Sequence, residues 1–312
     1  MTRSACLASL SVAALLAIAA GSAFAQDIDC GECHDDVSHA TTVHTDVTCL
    51  ECHTNVTSAH EGADLEPLTD EESCGECHGS VGRTIGRSVH GGEAGCLDCH
   101  GAPHDIREGS DLASAVSKVN QIQQCGACHD DPPELIDGFL AGEHGKALLL
   151  SGLINAPTCS DCHGDHRIME TDKGRAPTAH QNSPEMCGTC HSILLEDWKD
   201  QSAHGLAWQD DKEGPVCVDC HASHEIVDPT TYNARHAGAS NCGTCHEDYL
   251  TTFRDSFHGQ ALHLGMSEGA TCADCHTPHK NLAADNPASS VHPDNRLDTC
   301  GNCHEDITAA FA

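Results

Sequence analysis

Aromatic residues are scarce in this sequence. Its 312 residues include 5 Phe, 2 Trp and 2 Tyr, too few to supply the large side chains that usually carry much of a buried core. Basic residues are few as well: 15 Lys and Arg stand against 48 Asp and Glu, for a formal net charge of −33. A surface of that sign repels nucleic acid and anionic lipid. It favours basic protein partners, divalent cations or positively charged mineral surfaces. Beyond the first 25 residues no apolar run approaches the ~20 residues that span a bilayer, so the mature chain is expected to have no transmembrane segment.

Cysteine and histidine are what the chain has in excess, 23 and 26 respectively. All but one of the cysteines fall in eleven Cys-x-x-Cys-His motifs: Cys30 and Cys33, Cys49 and Cys52, Cys74 and Cys77, Cys96 and Cys99, Cys125 and Cys128, Cys159 and Cys162, Cys187 and Cys190, Cys217 and Cys220, Cys242 and Cys245, Cys272 and Cys275, and Cys300 and Cys303. The exception, Cys6, lies in the leader. No thiol remains for a disulfide, a catalytic cysteine or a lipid anchor. Two thiols three positions apart can form thioethers with both vinyl groups of one porphyrin, and the adjacent imidazole then falls beneath the iron. Zinc ribbons and redox disulfides also use Cys-x-x-Cys, yet neither needs a histidine after every pair. The expected cofactor is therefore haem c, eleven copies covalently attached. The proximal ligands would be His34, His53, His78, His100, His129, His163, His191, His221, His246, His276 and His304.

Residues 1–25 read as a signal peptide: Arg3 in a short basic start, an apolar run, then Ala23-Phe24-Ala25 as a small-x-small cleavage site. An exported protein, periplasmic or at the cell surface and beyond, suits cytochrome c assembly. About 26 residues remain per haem, too little polypeptide for an ordinary core around each one. The porphyrins themselves are expected to be the core. The fold class that follows is mainly loops with short α-helices and little or no β-structure, and removing haem should unfold it.

The motifs alternate. Cys-Gly-x-Cys-His begins at Cys30, Cys74, Cys125, Cys187, Cys242 and Cys300; Cys-x-(Asp/Glu)-Cys-His begins at Cys49, Cys96, Cys159, Cys217 and Cys272. This is a two-haem repeat closed by a single haem. Residues 26–124 hold two short repeats, and 125–312 hold three longer ones plus the terminal haem, expected as one continuous array. The longer repeats contain segments 134–150, 194–208 and 249–264, whose apolar residues recur at three and four positions and predict short amphipathic helices.

Fifteen histidines are left to serve as distal ligands. One set precedes a glycine: His90, His144, His204 and His258, with His44 or His39 as the counterpart in the first repeat. A second set follows the second motif type: His104, His166, His224 and His279. A third lies upstream of the first type: His60, His180, His236 and His292. The second and third sets compete for the same irons, and spacing leaves that open. Reach does constrain the second set. Three residues of extended chain span about 10–11 Å, whereas two histidines across one iron need roughly 12 Å between Cα atoms. His279 therefore cannot complete the haem bound by His276 and must serve a neighbour. His263 is the expected non-ligand. Met169, Met186 and Met266 are alternative axial ligands that would raise a haem's potential, whereas paired histidines keep it low.

The two-haem repeat, with Phe253 to His258 followed by Cys272 to His279, resembles the exported multihaem c-type cytochromes of metal-reducing and sulfur-cycling bacteria. The resemblance covers nearly all of the mature chain. It implies electron transfer between redox proteins that act as donor and acceptor, either by self-association into haem-lined filaments or inside an outer-membrane porin. Eleven motifs and trimmed early repeats depart from the decahaem conduits of the porin branch. The rival class is a multihaem oxidoreductase acting on a small nitrogen or sulfur oxyanion. Such enzymes often announce an open iron by Lys in place of the motif histidine, and no motif here carries that change.

Overall fold

The second motif type folds as a single helical turn because its acidic residue can cap it. The first N–H groups of a helix have no partner within it, and a carboxylate at the third position can reach back to the N-cap backbone. Asp98 accepts from the Gly95 N–H at 2.8 Å, Asp161 from Thr158 at 2.8 Å, Asp219 from Val216 at 2.6 Å, Asp274 from Thr271 at 2.6 Å and Glu51 from Thr48 at 2.7 Å. The resulting helices are Cys49–Cys52, Cys96–His100, Cys159–His163, Cys217–His221 and Cys272–His276. One turn places cysteines i and i+3 on the same face. The structure, a computed structural model, describes residues 29–311 apart from 33, 36, 38–41, 57–67 and 213. The expected leader, Cys33, His39 and His60 lie outside the described residues.

Four of these turns end in a sharp reversal. The residue after the motif histidine takes positive φ: +81° at Gly101 and Gly164, +59° at Ala222 and +46° at Thr277. Glycine adopts that region freely, whereas a side chain there costs on the order of 1 kcal/mol. The chain then runs on to His104, His166, His224 and His279.

The first motif type closes helices, among them Lys118–Gly126, Ser183–Gly188, Tyr232–Gly243 and Arg296–Gly301. Its glycine is where the next helix packs. A Cβ on Gly188 would collide with Leu195, and one on Gly243 with Leu250. After it come the expected helices, each split in two: Glu134–Ala141 and Glu143–Leu149, Ser192–Gln201 and Ala203–Asp211, Glu247–Asp255 and Phe257–His263. The breaks fall at Gly142, Ser202 and Ser256, which are extended. Ser202 and Ser256 cap the second helix by accepting from the N–H of Gly205 at 2.9 Å and Gly259 at 3.2 Å. No strand occurs among the described residues, so the architecture is short helices joined by loops.

Loops are closed by polar side chains. Asn120 donates to the carbonyls of Leu112 and Ser114, Asn182 to those of Gly174 and Ala176, and Asn295 to those of Pro287 and Ser289, all at 2.8–3.0 Å. A nitrogen-bearing side chain upstream of a first-type motif grips the capping carboxylate of the next second-type motif: Lys118 with Asp161, His180 with Asp219 and Arg235 with Asp274, at 2.9–3.0 Å. Apolar burial is slight. Among the described residues the buried apolar side chains are Ile122, Leu148, Trp198, Trp208, Val216 and Leu262, with Ala176, Ala179 and Ala239. Trp198, Trp208 and Val216 form one cluster, in which the Trp208 indole N–H donates to the Gln181 carbonyl at 2.9 Å and the Lys212 ammonium sits 3.2 Å from the ring centroid.

Positive φ at Ala222 predicts that Ala222→Gly stabilises the holoprotein by about 0.5–1 kcal/mol, while Gly164→Ala destabilises it by a similar amount or more. Thermal melts of the two variants check this through shifts of opposite sign.

Candidate functional site

Each histidine that precedes a glycine is set by the start of a helix or turn. His144, His204 and His258 are the second residues of their helices. The glycine after each faces the carbonyl end of the preceding helix, and a Cβ there would collide with the carbonyl of Phe139, Trp198 or Phe253 respectively. The His-Gly pair is thus a close-approach device: only glycine lets the second helix turn back far enough to carry its histidine inward. In the trimmed repeats a turn replaces the helix, and Thr42 and Ser88 accept from the N–H of His44 and His90 at 3.1 Å.

These histidines face motif histidines. The ring centroids of His44 and His78 are 6.1 Å apart, those of His90 and His129 5.9 Å, His144 and His191 6.1 Å, His204 and His246 6.1 Å, and His258 and His304 6.0 Å. The downstream set makes a second series: His53 with His104 at 6.0 Å, His100 with His166 at 6.0 Å, His163 with His224 at 6.2 Å, and His221 with His279 at 6.0 Å. His279 thus stands opposite His221, not beside its neighbour His276. Two metal–nitrogen bonds of about 2.0 Å, plus about 1.1 Å from each ring nitrogen to its centroid, place two imidazoles on one iron about 6.2 Å apart. All nine pairs keep that separation.

The upstream set stands elsewhere. His180 contacts both oxygens of Asp219 at 2.9 Å, in the place that Lys118 and Arg235 take in other repeats. His236 packs on the Tyr232 ring with centroids 5.9 Å apart, and His292 Nδ1 accepts from the Asp294 N–H at 3.3 Å. His263 is exposed. Cys33, His39 and His60 lie outside the described residues, and with them the surroundings of His34. No imidazole stands opposite His276 among the described residues.

Burial holds His100, His144, His163, His204, His221, His224 and His279 below the usual imidazole range. They are neutral at neutral pH, the form that binds a metal. Sequence reasoning gave no place to Asn281. Its side-chain amide lies 3.0 Å from His204 Nδ1, and its carbonyl accepts from the Ala203 N–H at 2.9 Å. With the amide oxygen turned to Nδ1 it would accept from that nitrogen and leave Nε2 for an iron.

The thiols form an unbroken file in sequence order. Within each repeat the first cysteines of the two motifs neighbour one another: Cys30 and Cys49, Cys74 and Cys96, Cys125 and Cys159, Cys187 and Cys217, Cys242 and Cys272. Burial, then Cys74 and Asp70, push the Cys96 thiol up to about 11. Between repeats, Cys52, Cys99, Cys162, Cys220 and Cys275 are raised first by burial and further by the cysteines of the next motif.

Among the described residues no group of three or more His, Cys, Asp or Glu could hold a metal ion unaided. Paired imidazoles would supply two nitrogen ligands to one metal, and a macrocycle would have to supply the rest. The donor set fits haem, with thioether sites beside one imidazole of each pair. No family model matches the chain. It is similar to the multihaem cytochrome MtrA of Shewanella baltica (strain OS185), 24% identical over 188 residues that make up 58% of this chain and 51% of that protein. The chain thus spans about half the length of that relative. No helix among the described residues is long and apolar enough to cross a membrane.

The pairing predicts that His204→Ala converts one haem from low to high spin in the electron paramagnetic resonance spectrum and leaves the others unchanged. His180→Ala, His236→Ala and His292→Ala should alter no spin state. An equal effect from all four variants would refute the pairing.

Proposed function

We propose that this chain is an exported electron-transfer protein that holds eleven c-type haems in the order of their motifs. The observation that carries this reading is the set of nine imidazole pairs with centroids 5.9–6.2 Å apart, each containing one motif histidine. The bound haems would supply reversible one-electron chemistry at iron.

The polypeptide does the rest by position. The cysteines of each motif are the attachment points, His34, His53, His78, His100, His129, His163, His191, His221, His246, His276 and His304 the proximal ligands. His44, His90, His144, His204, His258, His104, His166, His224 and His279 are the distal ligands of nine irons. Two imidazoles on an iron favour a low potential, since a methionine would raise it. Met169, Met186 and Met266 have no part in these pairs. Neighbouring thiols along the whole file bring consecutive attachment sites together, so the array offers a route with no motif out of sequence. The acidic exterior suits basic redox partners as donor and acceptor, in the periplasm or beyond the outer membrane.

Mass spectrometry of the exported protein should show the mature polypeptide plus eleven additions of about 0.6 kDa each. In a spectroelectrochemical titration all the haem absorbance should cycle reversibly, with midpoints below those of cytochromes with His/Met ligation. A mass equal to the bare polypeptide, or haem that fails to cycle, would overturn the reading.

A further inference from the structure

The nine imidazole pairs share one separation but not one orientation. In seven of them the two ring planes lie within 8–34° of parallel. The other two are crossed: His44 is turned 63° from His78, and His90 57° from His129. Both crossed rings are carried by the trimmed repeats and stand opposite a first-type motif histidine. Where a longer repeat supplies the partner of a first-type histidine, the angle is small: 22° for His144 with His191, 28° for His204 with His246 and 26° for His258 with His304.

The backbone differs at the same two places. Ser88-Val89-His90-Gly91 carries the same text as Ser202-Ala203-His204-Gly205 and Ser256-Phe257-His258-Gly259, yet its hydroxyl is used differently. Ser202 and Ser256 accept from the glycine N–H three residues on and start a helix whose second residue is the histidine. Ser88 accepts instead from the N–H of His90 itself, two residues on, as Thr42 does from His44, both at 3.1 Å. Such a bond closes a local turn that competes with helix, and both histidines lie in turns. A backbone latch is common to both kinds of repeat: Val43 donates to Ile106, Val89 to Ile168, Glu143 to Ile226 and Ala203 to Asn281, at 2.7–3.0 Å. The latch therefore does not set the angle. Gly142 has no hydroxyl and still starts a helix, and His144 stays near parallel. Ring orientation follows whether the histidine enters on a helix or on a hydroxyl-closed turn.

We infer that Thr42 and Ser88 are positioning residues that hold His44 and His90 across the rings opposite them, so that the haems attached at Cys74 and Cys77 and at Cys125 and Cys128 have a higher potential than parallel rings would give. The inference rests on the haem reading above. Groups around an axial histidine fix its ring orientation, and through it the metal. Each imidazole raises the iron d orbital perpendicular to its own plane. Two parallel rings act on the same orbital and split it from its partner, whereas crossed rings raise one each and leave the two nearly equal. In oxidised low-spin iron the unpaired electron occupies the upper orbital, so the splitting stabilises the oxidised state. Crossing the rings removes that stabilisation and raises the potential without any change of ligand type. Two haems in the N-terminal half would then hold an electron more tightly than paired histidines alone imply.

The test is electron paramagnetic resonance of the full oxidised holoprotein, after haem stoichiometry has been fixed by mass. Nearly equal orbitals give a strongly anisotropic low-spin signal, and split orbitals a rhombic one. His44→Ala and His90→Ala should each remove one haem's worth of the anisotropic signal, whereas His204→Ala removes one haem's worth of the rhombic signal. Thr42→Val and Ser88→Ala should each move one haem from the anisotropic to the rhombic class and lower its midpoint in a titration followed at that signal. Thr42→Ser and Ser88→Thr keep the hydroxyl and should do neither. Loss of rhombic intensity in His44→Ala and His90→Ala would overturn the inference and leave the electron-transfer reading standing. So would Thr42→Val and Ser88→Ala proteins in which either the signal or the midpoint stays unmoved. A chain with no attached haem would sink the underlying reading instead.

Discussion

The structure depends on one constraint: two imidazoles from distant parts of the chain are held about 6 Å apart, nine times over. A polypeptide that buries so few large apolar side chains cannot obtain this accuracy from a packed interior. It uses local devices instead. A carboxylate at the third helical position fixes the motif turn, a serine or glycine breaks the following helix, and a glycine after the histidine lets two backbones meet. Each device acts within about ten residues, so each can be repeated with little regard for what lies between.

Much of this was legible in the sequence, and the physical reason is locality. Thioether attachment is set by a spacing of three residues, so the motifs could be read directly, and with them a fold of short helices and little strand. The reach argument also placed His279 away from His276. The choice between downstream and upstream histidines was different, because it depends on contacts between repeats. His180 shows why. Its spacing suits a ligand, yet the position is filled by Lys118 and Arg235 in other repeats, and its role is to grip the cap carboxylate of Asp219. Asn281 carried no signal at all, because its importance comes from lying beside His204 across 77 positions.

The helix breaks at Ser202 and Ser256 show the limit of periodicity. Apolar spacing across 194–208 and 249–264 is continuous, and a single helix would satisfy it. The break is imposed by the glycine three residues further on, whose missing Cβ permits the second helix to fold back on the first. Sequence does record this, as Ser-x-His-Gly, but the meaning of that text emerges only when the preceding carbonyl is seen above the glycine. A pattern that reads as a ligand motif is therefore equally a packing motif, and the two requirements select the same residues.

Ligand exchange also determines how the array holds together. Repeat units in a solenoid usually gain stability from neighbours through surface burial, which decays smoothly when an interface is weakened. Here each junction between two-motif repeats trades one histidine forward and one back, as His144 reaches His191 while His224 returns to His163, with Glu143 bonded to Ile226 between them. If these imidazoles bind iron, opening a junction strips a distal ligand from two irons at once and breaks the backbone latch with them. Partial opening then has no favourable intermediate, because either histidine alone leaves the shared segment anchored. The junctions should behave as two-state elements, and the array as a set of such elements coupled through the small units between them. Rigidity of this kind would suit the proposed task of keeping haems at fixed separations in a chain that buries few large apolar side chains.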